Sequence, residues 1–151
     1  MENEYGKRAK EFFLAGYNCN QSVLLAFEED LKIDRKTLLL LGSSFGGGMG
    51  RLREVCGAVS AMFMIAGWKY GYTDPADKEA KAAHYERIQE LARRFRGKNR
   101  SIICRELLGL PASPDSPVPE ARTPQYYEKR PCGDLVADAA EIIAEFMREN
   151  A

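Results

Sequence analysis

The sequence predicts an all-α protein, a compact bundle of about six helices with a glycine-rich loop and a proline-rich strap. Three observations carry this. Apolar residues recur at helical spacing, capping residues precede several of those stretches, and glycine and proline concentrate in two connecting segments. No stretch alternates convincingly like a strand. With 151 residues, 45% hydrophobic and 29% charged, the chain suits one domain, residues 1–151, around one core.

The first helix runs from Glu4 to Gly16 and sets Ala9, Phe12, Phe13 and Gly16 on one face, with Tyr17 following. Asn18 can cap a second helix through Val23, Leu24, Phe27 and Leu31, and Asp34 a short third that ends near Leu41. The chain then enters Gly42 to Gly50, too rich in glycine to continue as helix. From Arg51 a helix restarts and ends between Gly67 and Gly71. Within it Ala58 to Ala66 holds Ser60 as its one polar residue, so this element should be enclosed on all sides. Gly57 and Ala61, one turn apart, admit a close neighbouring helix.

Thr73-Asp74-Pro75 reads as the start of a long helix, proline being favoured in a first turn. Its inward face is Ala80, His84, Ile88, Leu91 and Phe95, and Gly97 ends it. Ser101 caps a short helix closing at Leu108 to Pro111. The segment from Pro111 to Pro124 carries five of the seven prolines and must be a loop or extended strap. The last helix begins near Pro131 and buries Leu135, Ala139, Ile142, Ile143 and Phe146.

Lys+Arg and Asp+Glu are 22 each, so no global field exists to hold nucleic acid or an anionic membrane. The N-terminal MENEYGKRAKEFF lacks the apolar core of a signal peptide, and the longest nearly apolar run is far below the ~20 residues that span a bilayer. The expectation is a cytoplasmic protein. In a reducing compartment, cysteines serve metal or catalytic work better than permanent disulfides.

The chemistry-bearing residues are Cys19, Cys56, Cys104 and Cys132, each expected at a helix start. Unpaired N–H groups and the partial positive charge there favour a thiolate. Cations accompany them: Arg51 and Arg53 before Cys56, Arg105 after Cys104, Lys129 and Arg130 before Cys132. The four serve as candidate catalytic residues and as candidate metal ligands. The plain alternative is four small buried hydrophobes. The cysteines lie 37, 48 and 28 positions apart with no C-x-x-C, which excludes a zinc ribbon, a thioredoxin-type dithiol and a ferredoxin run as sequence motifs. Any joint site must be assembled by tertiary folding.

These residues resemble the family named for its own pattern, C_GCAxxG_C_C, whose members are described as redox-active. The likeness is carried by Gly16 to Ser22 around Cys19, by Gly46 to Arg51 leading to Val55-Cys56-Gly57-Ala58-Val59-Ser60, by Cys104 to Gly109, and by Cys132 opening the last helix. The central element varies: a glycine separates cysteine from alanine, and Ala61 stands near the trailing glycine's place. The resemblance implies a small helical protein whose four cysteines act together, with an iron–sulfur or other metal centre among the expected cofactors. Split-Soret cytochromes c look similar in this region but carry haem. This chain has no C-x-x-C-H and a single histidine, so no haem is expected.

His84 reads as a core histidine, with a fifth ligand or proton donor as its functional alternative. Gly46, Gly47 and Gly48 are candidate cofactor-binding positions where backbone could approach the sulfurs. They lack the Lys-Ser/Thr ending of a P-loop. Arg93, Arg94, Arg96, Lys98 and Arg100 read as a solvated helix end, and Trp68, Tyr70 and Tyr72 as core or subunit-interface residues.

Two functions follow. The first is a small redox protein whose cysteines hold an iron–sulfur cluster or zinc, or cycle between dithiol and disulfide, Cys19 with Cys56 being the first pair to consider. Its partner is a redox protein or a small-molecule oxidant or reductant, and a homodimer is permitted. The second is a non-catalytic binding or scaffold module with structural zinc or merely packed cysteines.

Overall fold

The computed structural model describes residues 3–111 and 115–151. The middle of the predicted strap, residues 112–114 with Pro114, and the first two residues of the predicted N-terminal pattern lie outside them. Nine helices occupy the described residues: α1 (Glu4–Leu14), α2 (Cys19–Ala26), α3 (Glu28–Leu31), α4 (Arg35–Gly42), α5 (Gly57–Tyr70), α6 (Lys78–Asn99), α7 (Cys104–Leu108), α8 (Pro124–Lys129) and α9 (Cys132–Glu149). No strand occurs among these residues, so the all-α expectation is met. The one extended pairing is an isolated antiparallel bridge between Val55 and Ile103.

The core lies among α1, α2, α5, α6 and α9. α5 is buried along most of its length, Ala58, Val59, Ala61, Met62, Ile65 and Ala66 being at most 1% exposed, as its nearly all-apolar sequence predicts. α1 and α9 pack along each other through Ala9, Phe13, Ala139 and Ile143. The predicted faces of α6 and α9 hold: Leu91 and Phe95 are fully buried, and so are Ala139 and Ile143.

Several boundaries differ from expectation. The second predicted helix breaks at Phe27 into α2 and α3. α5 begins at Gly57 rather than Arg51. The long helix starts at Lys78, because the Asp77 side chain accepts from Ala80 N–H while Asp74 closes a separate turn onto Ala76 N–H. It also runs through Gly97, ending when Arg100 turns left-handed. The strap closes with a helix of its own, α8, capped by the Thr123 hydroxyl.

The glycine-rich loop departs most from ordinary geometry. Gly47, Gly48, Met49, Gly50 and Arg51 all have φ between 59° and 70°, one turn of left-handed helix, and Arg53 returns to φ 61°. An L residue there crowds its Cβ against the carbonyl, at about 1–2 kcal/mol each, which Met49, Arg51 and Arg53 all bear. The turn is fastened by Arg53 N–H to Gly47 O (3.2 Å) and Glu54 N–H to Gly48 O (3.0 Å).

A Cβ on Gly48 would sit 2.6 Å from Cys104 Cβ in addition to the left-handed strain. Gly48→Ala should therefore lower stability by at least about 1–3 kcal/mol, read from urea unfolding. Gly97, inside α6 with nothing within 4 Å of an added Cβ, should behave oppositely, Gly97→Ala raising stability by about 0.5–1 kcal/mol.

Candidate functional site

Each cysteine stands where the sequence places it, at a helix start. Cys19, Cys104 and Cys132 are the first residues of α2, α7 and α9, and Cys56 is the cap residue of α5. The α2 start is set locally. Asn18 Oδ1 accepts from Gln21 N–H at 2.8 Å, and the Gln21 side chain accepts from Asn18 N–H at 3.2 Å, a reciprocal capping box. The α5 and α7 starts are set by pairing. Cys56 N–H donates to Ile102 O (2.8 Å) and Cys104 N–H to Glu54 O (2.6 Å), which lays the two cysteine segments side by side.

All four cysteines line one cavity of about 60 Å³, together with Gly47, Gly48, Arg53, Arg122 and Tyr126. Close backbone approach makes this convergence possible. An added Cβ on Gly57 would lie 2.7 Å from Phe45 O and 3.2 Å from Cys19 Cβ, so only glycine lets α2 and α5 bring their cysteines together. Gly48 does the same against Cys104. Of the three candidate glycines, Gly47 and Gly48 line the cavity, whereas Gly46 packs on Asn18 and faces an adjoining pocket. His84 is a buried core histidine elsewhere, beside Gly67 and edge-on to Tyr72. Burial lowers its pKa, and its Nδ1 has no partner.

The expectation of a thiolate at every helix start does not hold. All four cysteines are free thiols, and burial pushes three of them toward the protonated form. Cys56 is pushed up to about 12 by burial, although the N–H groups of Val59 and Ala58 favour its anion. Cys104 is raised by burial despite Arg53 Nη1, which donates to its sulfur at 3.7 Å. Cys19 is raised well above the ordinary thiol value, first by hydrogen bonding to Cys132 and then by burial. Desolvation in a dry site outweighs a helix terminus, whose field is modest and falls off within a turn.

Cys132 alone moves the other way. The neighbouring Cys19 thiol and the positive potential of Arg130, Arg122 and Arg53 favour its anion, so its pKa is lowered despite burial. Cys19 is thus influenced most by Cys132, and less by Cys56, the partner first considered for it. Arg53 serves Cys104 and Cys132 rather than the neighbouring Cys56. Arg105 turns away to the carbonyls of Leu52 and Pro111.

Arg122 and Tyr126 are site residues that sequence reasoning missed. Arg122 lies in the strap, donates to Phe13 O (2.9 Å) and Tyr17 O (3.0 Å), and stacks over the Phe13 ring at 4.2 Å. Its signal was an arginine immediately before a capping-type threonine and proline, which points to no particular sulfur. Tyr126, on α8, carries the strap against the cavity, and burial raises its pKa.

The lowered pKa of Cys132 gives a testable pH profile. Its alkylation by iodoacetamide, followed by mass spectrometry, should inflect below the ordinary thiol value of ~8.5. Removing a cation disfavours the anion, so Arg130→Gln and Arg122→Gln should each move that inflection upward. An inflection at or above ~8.5 in the unaltered protein would contradict the arrangement.

No curated protein and no solved structure matches the chain. One family model does, that of the C_GCAxxG_C_C family, described as putative redox-active proteins, over residues 17–146. That span contains all four cysteines, the left-handed turn and the strap, and the chain therefore belongs to the C_GCAxxG_C_C family.

Proposed function

We propose that this protein is a thiol redox protein in which Cys132 is the attacking thiolate and Cys19 the resolving thiol. The observation that carries it is the meeting of all four cysteines in one small cavity walled by Arg53 and Arg122, where the Cys19 pKa is raised and that of Cys132 is lowered. Cys132 attacks a disulfide of the partner, forming a mixed disulfide and releasing one partner thiolate. Cys19 gives up its proton to that thiolate and attacks Cys132, closing a Cys19–Cys132 disulfide and releasing the second partner sulfur. Two electrons pass from the protein to the partner. Cys104 and Cys56, held protonated, flank the pair without taking part. The cytoplasm, where thiols are kept reduced, is the setting that suits this chemistry. No helix among the described residues is long and apolar enough to cross a membrane.

A second reading rests on all four sulfurs facing one cavity. Four thiols are the donor set of an iron–sulfur cluster or of structural zinc, and Arg53, Arg122 and Arg130 would offset an anionic centre. The donors fit in kind but not in position. Among the described residues no group of three His, Cys, Asp or Glu stands where it could hold an ion, and no step is routed through a metal here.

Trapping tests the dithiol reading. On treatment with a small disulfide, Cys19→Ser should accumulate a stable mixed disulfide at Cys132, whereas Cys132→Ser should form none at Cys19, as read by intact mass and peptide mapping. Equal labelling of all four cysteines would refute the assignment.

Anaerobic purification should give a colourless protein with substoichiometric iron. A brown protein with stoichiometric iron and sulfide would replace the dithiol reading with the metal one.

A further inference from the structure

Beside the cysteine cavity lies a second pocket of about 480 Å³, and the two share Asn18, Gly47, Arg53, Arg122 and Tyr126 along their common wall. Its chemistry is one-sided. Arg51, Arg53, Arg122 and Arg130 all line it, against Glu120, with Asp115 behind. Four guanidinium groups facing two carboxylates leave an excess of two positive charges, in a protein whose overall charge is zero.

The two signs differ in how they are held. The arginines are fixed and largely buried, the side chains of Arg51, Arg53 and Arg130 being 14%, 7% and 16% exposed. The carboxylates come from the strap and are open to solvent, Asp115 at 35% and Glu120 at 43%. Asp115 lies 2.7 Å from Arg53 and 2.8 Å from Arg51, and Glu120 lies 2.5 Å from Arg130. Even with both in place the site is not satisfied. Among the described residues Arg51 Nε is buried without a hydrogen-bond partner, and the Arg122 hydrogen bonds go to the carbonyls of Phe13 and Tyr17. Buried cations, covered by solvent-exposed carboxylates too few to match them, describe a binding site for an external polyanion.

We infer that this pocket binds a low-molecular-weight disulfide carrying carboxylates, and delivers its sulfurs to Cys132 through the shared wall. The inference rests on the dithiol reading above and adds the substrate class to it. The pocket's size suits a small peptide-like molecule, whereas the cysteine cavity admits only its sulfur end. The ligand's carboxylates replace Asp115 and Glu120 on the arginines. The Cys132 thiolate attacks one sulfur of R–S–S–R, forming Cys132–S–S–R and releasing R–S⁻. The Cys19 proton passes to that thiolate, and Cys19 then displaces the second R–S⁻ to close the Cys19–Cys132 bond. One disulfide is reduced to a thiol and a thiolate, which takes its proton from solvent, and the protein's thiol–thiolate pair is oxidised to a disulfide.

The experiment compares oxidation of the fully reduced, full-length protein by three disulfides of different charge. These are anionic oxidised glutathione, neutral bis(2-hydroxyethyl) disulfide and cationic cystamine, with the Cys19–Cys132 bond followed by mass spectrometry. Glutathione should react faster than the neutral compound by ~10-fold or more at low ionic strength, cystamine should be slowest, and added salt should narrow the spread. Arg51→Gln should shrink the ratio of anionic to neutral rates, and Glu120→Gln, which removes a competing carboxylate, should enlarge it. Equal rates, or cystamine fastest, would overturn the substrate class while leaving the dithiol reading standing. Failure of all three disulfides to oxidise the pair would overturn both.

Discussion

Arg53 is the residue through which the site is held together. Its backbone, at φ 61°, donates to Gly47 O and accepts from Arg105 N–H, tying the left-handed turn to the start of α7. Its guanidinium donates to the Cys104 sulfur with one nitrogen and to Asp115 of the strap with two others. Three pieces of chain, the left-handed turn, the start of α7 and the strap, therefore meet at one residue whose side chain is 7% exposed. A buried guanidinium is tolerated only when its charge is answered and its hydrogens are used. The sulfur cavity and the Asp115 carboxylate answer it together. The strain borne by Met49, Arg51 and Arg53 follows from the same demand. A right-handed turn would carry the arginines elsewhere, and the surrounding hydrogen bonds over-determine the left-handed one.

The contest between burial and charge explains why four similar cysteines end with different chemistry. Every one of them has a helix start behind it, so that factor cannot separate them. What separates them is what else reaches the sulfur. Cys56 has backbone N–H groups but no cation, and desolvation carries it to about 12. Cys104 has Arg53 at hand and Arg130 farther off, which are not enough against burial. Cys132 has three arginines in range and the Cys19 thiol beside it, and there the pKa falls. Cys19 is the counterpart, raised by the same neighbour and by burial. A dithiol in which one sulfur ionises more readily than its neighbour favours attack by the first and resolution by the second.

Much of this was legible in the sequence wherever local chemistry decides. Asn18 and Asp34 cap the helices they were expected to cap, because a side-chain acceptor three residues before an N–H needs no tertiary help. The inward faces of α6 and α9 were legible from spacing alone, and the helix-start position of each cysteine was legible too, although pairing between distant segments fixes the starts at Cys56 and Cys104. The failures fall where local signals compete or where distant chain decides. Asp77 displaces Thr73–Pro75 as the start of α6 because two aspartates compete and each closes its own turn. The handedness of the Gly47–Arg51 turn is imposed by partners around Cys104. Arg122 reaches the cavity from a strap more than 100 positions after the carbonyls it holds. Thiolates were expected at all four sulfurs because burial depth, the larger influence, has no sequence signature.

The layout also reconciles two requirements that oppose each other. A sulfur deep enough to be shielded from adventitious oxidants is raised in pKa and slow to react. One shallow enough to react freely is exposed to everything. Here the sulfurs share a cavity too small for a whole reagent, while the charge that activates one of them is placed on the wall toward a larger, wetter pocket. Arg53, Arg122 and Arg130 act in both directions, lowering the Cys132 pKa on one side and presenting guanidinium groups on the other. Reactivity is thereby coupled to what occupies the outer pocket. An anion seated on those arginines draws part of their field away from Cys132, as Asp115 and Glu120 already do, so activation and recognition use one fixed set of charges and cannot be altered independently.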